Sequence, residues 1–442
     1  LSNSNAIWWR TDMRLSVILT LLAGVLSAPV VAFAEVEAPR KIEFARTQSG
    51  YVVLRDGQAF SIRGAGLEYG DIASLSAHGG NAIRNWTTDN AREVLDLAHA
   101  QGVMVALCLP VIPERHGFDY SDQQQVSQQL EKLRLEVLKY KDHPALLAWI
   151  IGNELNFDYT NSAVYDAVND ISEMIHAVDP NHPTTTTVAG LGENVLQDLE
   201  ARAGDLDFLS FQAYGEIFNV PEFLSEHAID RPVWITEWGA IGHWEMERTD
   251  WGAPLEMNSS EKAGVYLQAY NEIIAPREGQ IVGSFAFLWG QKQERTPTWF
   301  GMFTESGEET EAVDVMHYLW NQAWPENRSP QVHSMRLDGQ SARDSIRLVS
   351  GTAYRADIER SDPDGDPIDY RWELKPESGA LQVGGDAERA IESLEIEFSG
   401  AEKPQVTFRA PAAGAYRLYV YGYDRAGHAA HANVPFLVER AR

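Results

Sequence analysis

The chain has 442 residues, 44% hydrophobic and 10% aromatic, which is enough to bury one large core and a second, smaller one. Its formal net charge is -28, from 64 Asp and Glu against 36 Lys and Arg, and no basic block interrupts it. A nucleic-acid or anionic-membrane binder has to display a basic face, so those partners are excluded, and the acidity reads as a solubilising coat suited to an exported protein.

Residues 1–12 read as upstream sequence or a tag, because Met13 is the better start. Arg14, the apolar run 15–26 and the small-residue end Ala32-Phe33-Ala34 form a secretory signal, cut after Ala34. The span 15–34 is just long enough for a membrane anchor, but Pro29 and the cleavage signature oppose that. The expectation is a secreted or periplasmic protein without stable membrane insertion. Residues 41–63 alternate apolar and polar around Arg55-Asp56-Gly57, a hairpin turn signal, which predicts an N-terminal β-hairpin segment over 35–58. Cys108 is the single cysteine, so no intrachain disulfide forms, and its apolar setting within 103–109 describes a buried inert thiol.

From there, strand-like runs fall at 59–67, 81–86, 103–109, 145–153, 184–189, 207–212, 233–237 and 281–288. Helical periodicity occupies 90–101, 121–140, 161–178, 195–201, 221–227, 259–275 and 311–324, several of these opened by Ser, Asp or Asn. This alternation predicts an α/β fold, a (β/α)8 TIM barrel over 59–325. A doubly wound open sheet is the rival, but no Gly-rich dinucleotide turn follows the first strand. Pro325 and Pro330 bracket a polar linker, 326–330. Beyond it, 331–442 alternates strands with turns, predicting a small all-β, immunoglobulin-like sandwich that serves as a spacer. The turn Ser361-Asp362-Pro363-Asp364-Gly365-Asp366-Pro367 has carboxylates for Ca²⁺, although an ordinary tight turn accounts for its composition.

The chemistry concentrates at two strand ends. Ala145 to Ile151 is apolar on both faces, like a buried parallel strand, and stops abruptly at Gly152-Asn153-Glu154. Pro232-Val233-Trp234-Ile235-Thr236 likewise runs into Glu237-Trp238-Gly239. In a (β/α)8 barrel the carboxyl ends of the strands open onto the active-site face, so two strands ending in Glu supply the carboxyl pair that glycosidic bond cleavage requires.

Asn-Glu at the fourth strand and Glu at the seventh resemble the signature of clan A glycoside hydrolases, the retaining barrel enzymes. With Ala82-Ile83-Arg84-Asn85-Trp86, Trp149 to Leu155, Trp234 to Gly239 and Phe287-Leu288-Trp289-Gly290, the chain is similar to the barrel domain of glycoside hydrolase family two. The sandwich resembles the immunoglobulin-like modules, of the PKD kind, attached to many exported bacterial enzymes. The resemblance implies that Glu154 is the acid/base and Glu237 the nucleophile. It implies that Arg84 and Tyr214 hydrogen-bond the nucleophile, that Asn153 reaches the sugar 2-hydroxyl and that Trp289 floors the sugar. Loop positions after strands one, three, seven and eight add Glu68, Tyr69, His116, Trp238, His243, Trp244 and Trp299 as candidate substrate contacts. His116, His243 and Glu68 lack metal-ligand spacing, so no metal site is expected.

Family-two enzymes carry two domains before the barrel, and only 35–58 stand in that place here. An open cleft shaped by 110–121 and 240–258 follows as the expectation. The resulting reading is a retaining β-glycosidase acting on a β-linked glucan or related oligo- or polysaccharide, needing no cofactor. Transglycosylation with the same two glutamates is the alternative within that chemistry, and a non-catalytic carbohydrate-binding barrel is the alternative outside it.

Overall fold

The computed structural model describes residues 38–67, 71–380 and 385–440. The expected upstream segment, signal sequence and anchor alternative lie outside these, as do Glu68 and Tyr69. Among the described residues no helix is long and apolar enough to cross a membrane.

The described part of the chain begins with a small antiparallel sheet, β1 (Ile42–Thr47), β2 (Gly50–Arg55) and β3 (Gln58–Ala59). Asp56 and Gly57, at φ of 51° and 77°, make the tight turn between the last two, a conformation Asp tolerates and Gly adopts freely. Eight parallel strands follow: β4 (Gly64–Gly66), β5 (Ala82–Arg84), β6 (Met104–Leu109), β7 (Leu146–Asn153), β8 (Thr184–Ala189), β9 (Leu209–Gln212), β10 (Val233–Gly239) and β11 (Ile281–Phe287). They close a barrel in the order β10-β11-β4-β5-β6-β7-β8-β9.

A helix follows each strand: α1 (Ile72–Ala77), α2 (Ala91–Ala100), α3 (Gln123–Tyr140), α4 (Ala163–Val178), α5 (Glu193–Arg202), α6 (Val220–Glu226), α7 (Ser259–Ala269) and α8 (Glu311–Asn321). The first of these, six residues capped by the Asp71 side chain, has no counterpart among the predicted helices. The run predicted as helical over 259–275 keeps its α-helical form only to Ala269 and continues as a π turn over Tyr270–Ile274. Asn258 and Glu261 form a capping box that fixes where α7 starts.

Strand alternation sorts the barrel side chains into two cores. Val105, Leu107 and Leu109 of β6 pack outward with the helices, while Met104, Ala106 and Cys108 fill the interior beside Leu147, Ile150, Phe208, Trp234 and Phe285. Ile42, Val53 and Phe60 join that inner core, so the N-terminal sheet stoppers the barrel. It does so at the amino-terminal ends of the strands, where the Ile42 N–H donates to the Asn181 carbonyl at 2.8 Å and Arg46 pairs with Asp230 at 2.9 Å.

The C-terminal β domain contains β12 (Gln331–Leu337), β13 (Arg347–Val349), β14 (Ala353–Ser361), β15 (Asp369–Pro376), β16 (Gln405–Arg409), β17 (Gly414–Tyr423) and β18 (Ala429–Glu439). Two sheets, β12-β14-β16 and β13-β18-β17-β15, enclose one core between them. In the 361–367 turn the Asp362 carboxylate accepts the backbone N–H groups of Asp364 and Asp366, at 3.0 and 2.9 Å. That is the local capping a tight turn of this composition makes.

The 326–330 segment joins α8 to β12 without regular structure, but it is anchored rather than loose. Ser329 is fully buried, and its N–H donates to Asp314 at 2.7 Å. On β17, Leu418 and Val420 face the sandwich core; Arg417, Tyr419 and Tyr421 alternate to the other face and are also buried, because the barrel covers it. Arg417 donates to the Pro254 carbonyl at 2.7 Å, and Asn433 to the Glu256 carboxylate at 2.6 Å. Glu256 also accepts from Thr296 and Thr298 and pairs with Lys262 at 2.5 Å. Burial works against ionising Glu256, but the cations around it, Lys262 first, hold its carboxyl at about 2.

This junction argues against a spacer role. A chain ended after Asn327 loses the Asn433 bond to a buried carboxylate, a contact of a kind worth about 1.5–3 kcal/mol, and uncovers the apolar surface around it. We expect such a chain to accumulate as insoluble or unfolded protein, checked by soluble yield and near-ultraviolet circular dichroism. A soluble, natively folded truncation would contradict that.

Candidate active site

Both carboxylates predicted at strand ends need a break in the strand to face the barrel mouth. On β10, Val233 and Ile235 pack outward and Trp234 inward, so strict alternation would also send Glu237 outward. The register against β9 shifts between Ile235 and Glu237, and that irregularity turns the carboxylate into the mouth. On β7 the register shifts between Ile150 and Asn153, where Gly152 takes φ +75° and Glu154 φ +48°. A Cβ at Gly152 would come within 2.8 Å of the Leu155 side chain, so this corner requires glycine in both conformation and space.

Glu237 is a convergence point for donors. Arg84 Nη1, the Trp86 indole N–H at 2.8 Å and the Gln212 amide at 2.8 Å all reach Oε1, and the Tyr214 hydroxyl reaches Oε2 at 2.6 Å. Such a set suits a carboxylate that only accepts, and it fixes the aim of both oxygens. Arg84 is fully buried, lies 4.5 Å from the Trp86 ring centre and donates its other arm to Asn153 Oδ1 at 2.9 Å. Gln212 and Thr187 also donate to that Asn153 oxygen, at 2.8 and 3.2 Å, so its amide NH₂ is turned away from these donors.

Glu154 contrasts with it. It is 9% exposed, and its backbone carbonyl accepts from Arg115 at 3.1 Å. Burial first, and the Glu237 carboxylate second, push its carboxyl from the ordinary 4.5 up to about 8, against the pull of Arg115 and Arg84. Two carboxyl groups in one cavity are therefore set apart by their surroundings, one held by donors and one kept protonated at neutral pH. Burial and the same Glu237 charge push the Tyr214 phenol far up, so it stays a hydrogen-bond donor.

Both glutamates line a cavity of about 960 Å³ at the carboxyl ends of the strands. His116, His243 and Trp244 also line it, and Trp244 stands 53% exposed at the rim. Trp289 borders the cavity, but it is 1% exposed and stacks on Trp320 at 5.6 Å, so it backs the wall from behind rather than flooring it. Trp238 does not reach the cavity: it lies on the helix side of β10, packed on Tyr266 at 5.6 Å and Tyr270 at 6.3 Å. The break that turns Glu237 inward turns its neighbour outward. Trp299 is likewise buried, with its indole N–H donating to the Ile241 carbonyl at 2.9 Å.

Three contributors were not singled out in the sequence. Trp86 and Gln212 sit within recognised strand segments, but only the closed barrel brings their donors to Glu237. Residues 385–388, from the β domain, also line the cavity, and no local pattern points there.

The fold defines the class first: a closed (β/α)8 barrel with a carboxylate pair at its mouth, followed by a β domain. No protein-family model matches the chain. Among solved structures it resembles a calcium-binding mutant of β-glucuronidase 2 from Bacteroides uniformis, at 13% identity and a TM-score of 0.50 over 90% of this chain and 48% of that one. It also resembles a β-glucuronidase of Bifidobacterium dentium complexed with coumarin-3-O-glucuronide, at 17% identity and a TM-score of 0.51 over 64% of this chain and 49% of that one. A stretch of 63 residues, 14% of either chain, is 38% identical to mannan endo-1,4-beta-mannosidase F of Aspergillus clavatus. The chain spans about half the length of those two solved structures, 48% and 49%, and at these identities what is shared is the fold.

Proposed function

We propose that the protein is a retaining glycoside hydrolase that cleaves a β-linked glucan or related polysaccharide. The observation that carries this reading is the unequal carboxyl pair: Glu237 under four converging donors, Glu154 buried and protonated to about pH 8. Protonated Glu154 delivers its proton to the glycosidic oxygen while Glu237 attacks the anomeric carbon, so the C–O bond breaks and a glycosyl ester forms. Ionised Glu154 then takes a proton from water, which attacks the same carbon and frees Glu237. No cofactor enters the sequence.

Two features support a neutral saccharide. Polar side chains of both kinds line the cavity, His116, Asn153, Gln212, Gln291 and Gln293 among them, a mixed set of donors and acceptors that suits sugar hydroxyls. Among the described residues lining the cavity, Glu154, Glu216, Glu237, Glu245, Glu294, Asp386 and Glu388 are acidic, whereas the Lys and Arg side chains are Arg115 and Lys292. Lys292 already pairs with Glu294 at 2.8 Å, and the carboxylates outnumber the two cations, so a uronate would meet net repulsion.

The test is product analysis by mass and anomeric NMR on β-1,2-, β-1,3-, β-1,4- and β-1,6-linked gluco-oligosaccharides. Shorter products with retained configuration are expected; products longer than the substrate would reassign the reaction to transglycosylation. Silence on every linkage from folded protein would count against the reading. Tyr214→Phe removes one hydroxyl from a charged acceptor, a bond worth about 1.5–3 kcal/mol, so we expect a folded variant of somewhat lower thermal stability whose kcat falls roughly 10- to 100-fold. An unaltered kcat would remove Tyr214 from the machinery.

A further inference from the structure

Residues 385–388 belong to the β domain, between β15 and β16, yet they stand at the barrel mouth. Two barrel loops grip them. After β11, Lys292 Nζ donates to the Gly385 carbonyl and the Arg295 N–H to Glu388 Oε2, both at 2.9 Å. After β6, Arg115 and His116 face the Asp386 carboxylate at 3.6 and 3.4 Å. In the closed barrel β11 and β6 are separated by β4 and β5, so the segment bridges that part of the rim.

We propose that this segment of the β domain is a wall of the substrate site and that Asp386 is a specificity-determining residue within it, a reading that rests on the glycosidase assignment. Asp386 is only partly covered, at 38% side-chain exposure, and its ion pairs are long, leaving its oxygens able to accept from sugar hydroxyls. Glu388 anchors the segment behind it, its Oε2 accepting from the Arg295 N–H at 2.9 Å. Arg115 links the wall to the chemistry, since it also donates to the Glu154 carbonyl at 3.1 Å. In this proposal the wall meets sugars beyond the bond being cut, because Asp386 stands on the rim and reaches the Glu154 backbone only through Arg115. It acts on the binding of longer chains rather than on bond cleavage.

The experiment compares intact protein with Asp386→Asn and Asp386→Ala. The probes are β-1,4-glucotetraose, β-1,3-glucotetraose, β-1,4-mannotetraose and 4-nitrophenyl β-glucoside. Each variant should raise KM for the preferred tetraose about ten-fold or more, the value of one or two lost hydrogen bonds, while kcat falls less than about three-fold. KM for the aryl glucoside should move far less. Calorimetric titration of the tetraose into Glu237→Gln, with and without Asp386→Asn, reads the same loss without turnover and tolerates a slow enzyme. Unchanged tetraose KM and affinity in both folded variants would overturn the wall. If the intact protein neither cleaves any probe nor binds one in the Glu237→Gln background, the glycosidase reading itself fails, and the wall with it.

Discussion

Glu237→Ala is expected to lower turnover by about 10⁴-fold or more, because a nucleophile and the groups that aim it act as one unit. The four donors around Glu237 would remain, facing a small gap where the carboxylate stood. Azide fits such a gap and attacks the anomeric carbon from the side Glu237 occupied, so added azide should restore activity on aryl glycosides. The product should be the glycosyl azide of inverted configuration, identified by NMR. Recovery with retained configuration would remove Glu237 from the nucleophile role. No recovery from a folded variant that still binds the tetraose would do the same.

The second large effect belongs to Glu154. Glu154→Ala should cost about 10²- to 10⁴-fold on natural oligosaccharides, whose leaving oxygen needs a proton, and far less on aryl glycosides with good leaving groups. Equal losses on both would count against an acid/base role. The raised carboxyl sets the pH dependence of the wild type. In the proposed mechanism protonated Glu154 is the active form for bond cleavage, so kcat/KM on oligosaccharides should fall as pH rises through about 8, and Glu154→Gln should lack that limb. Stability follows the same sign. The native state holds this proton more tightly than an unfolded chain with an ordinary value of 4.5, so the contribution is full below that value and is lost as pH rises through about 8. Relative to wild type, the Gln variant should therefore gain melting temperature between pH 5 and pH 9.

Much of this was legible because buried parallel strands write themselves as continuous apolar runs, and a carboxylate at the end of such a run is conspicuous. Arg84, Asn153, Glu154, Tyr214 and Glu237 all sit at or just past strand ends, and the barrel gathers them around one cavity or directly against it. Features that depend on irregularity were harder to read. Trp238 looked like a mouth residue beside Glu237, but the shifted register sends it to the helices. The first helix, Ile72–Ala77, is too short for its period to emerge. Hydrogen bonds from Trp86 and Gln212 to Glu237 span 151 and 25 residues, and the His116–Asp386 contact spans 270. Separations of that size leave no local signature. Two prolines around 326–330 suggested a tether, whereas the buried Ser329 and the Arg417 and Glu256 contacts bind the β domain to the barrel.

The N-terminal sheet fixes a direction for the whole molecule. Because β1 to β3 stopper the amino-terminal ends of the barrel strands while the glutamates open at the carboxyl ends, the described residues begin at the pole opposite the mouth. Attachment to a bead or sensor surface through a tag placed before Ala38 would hold the protein by its base. The cleft would then look outward, and under the proposed function a polymer could approach it face on.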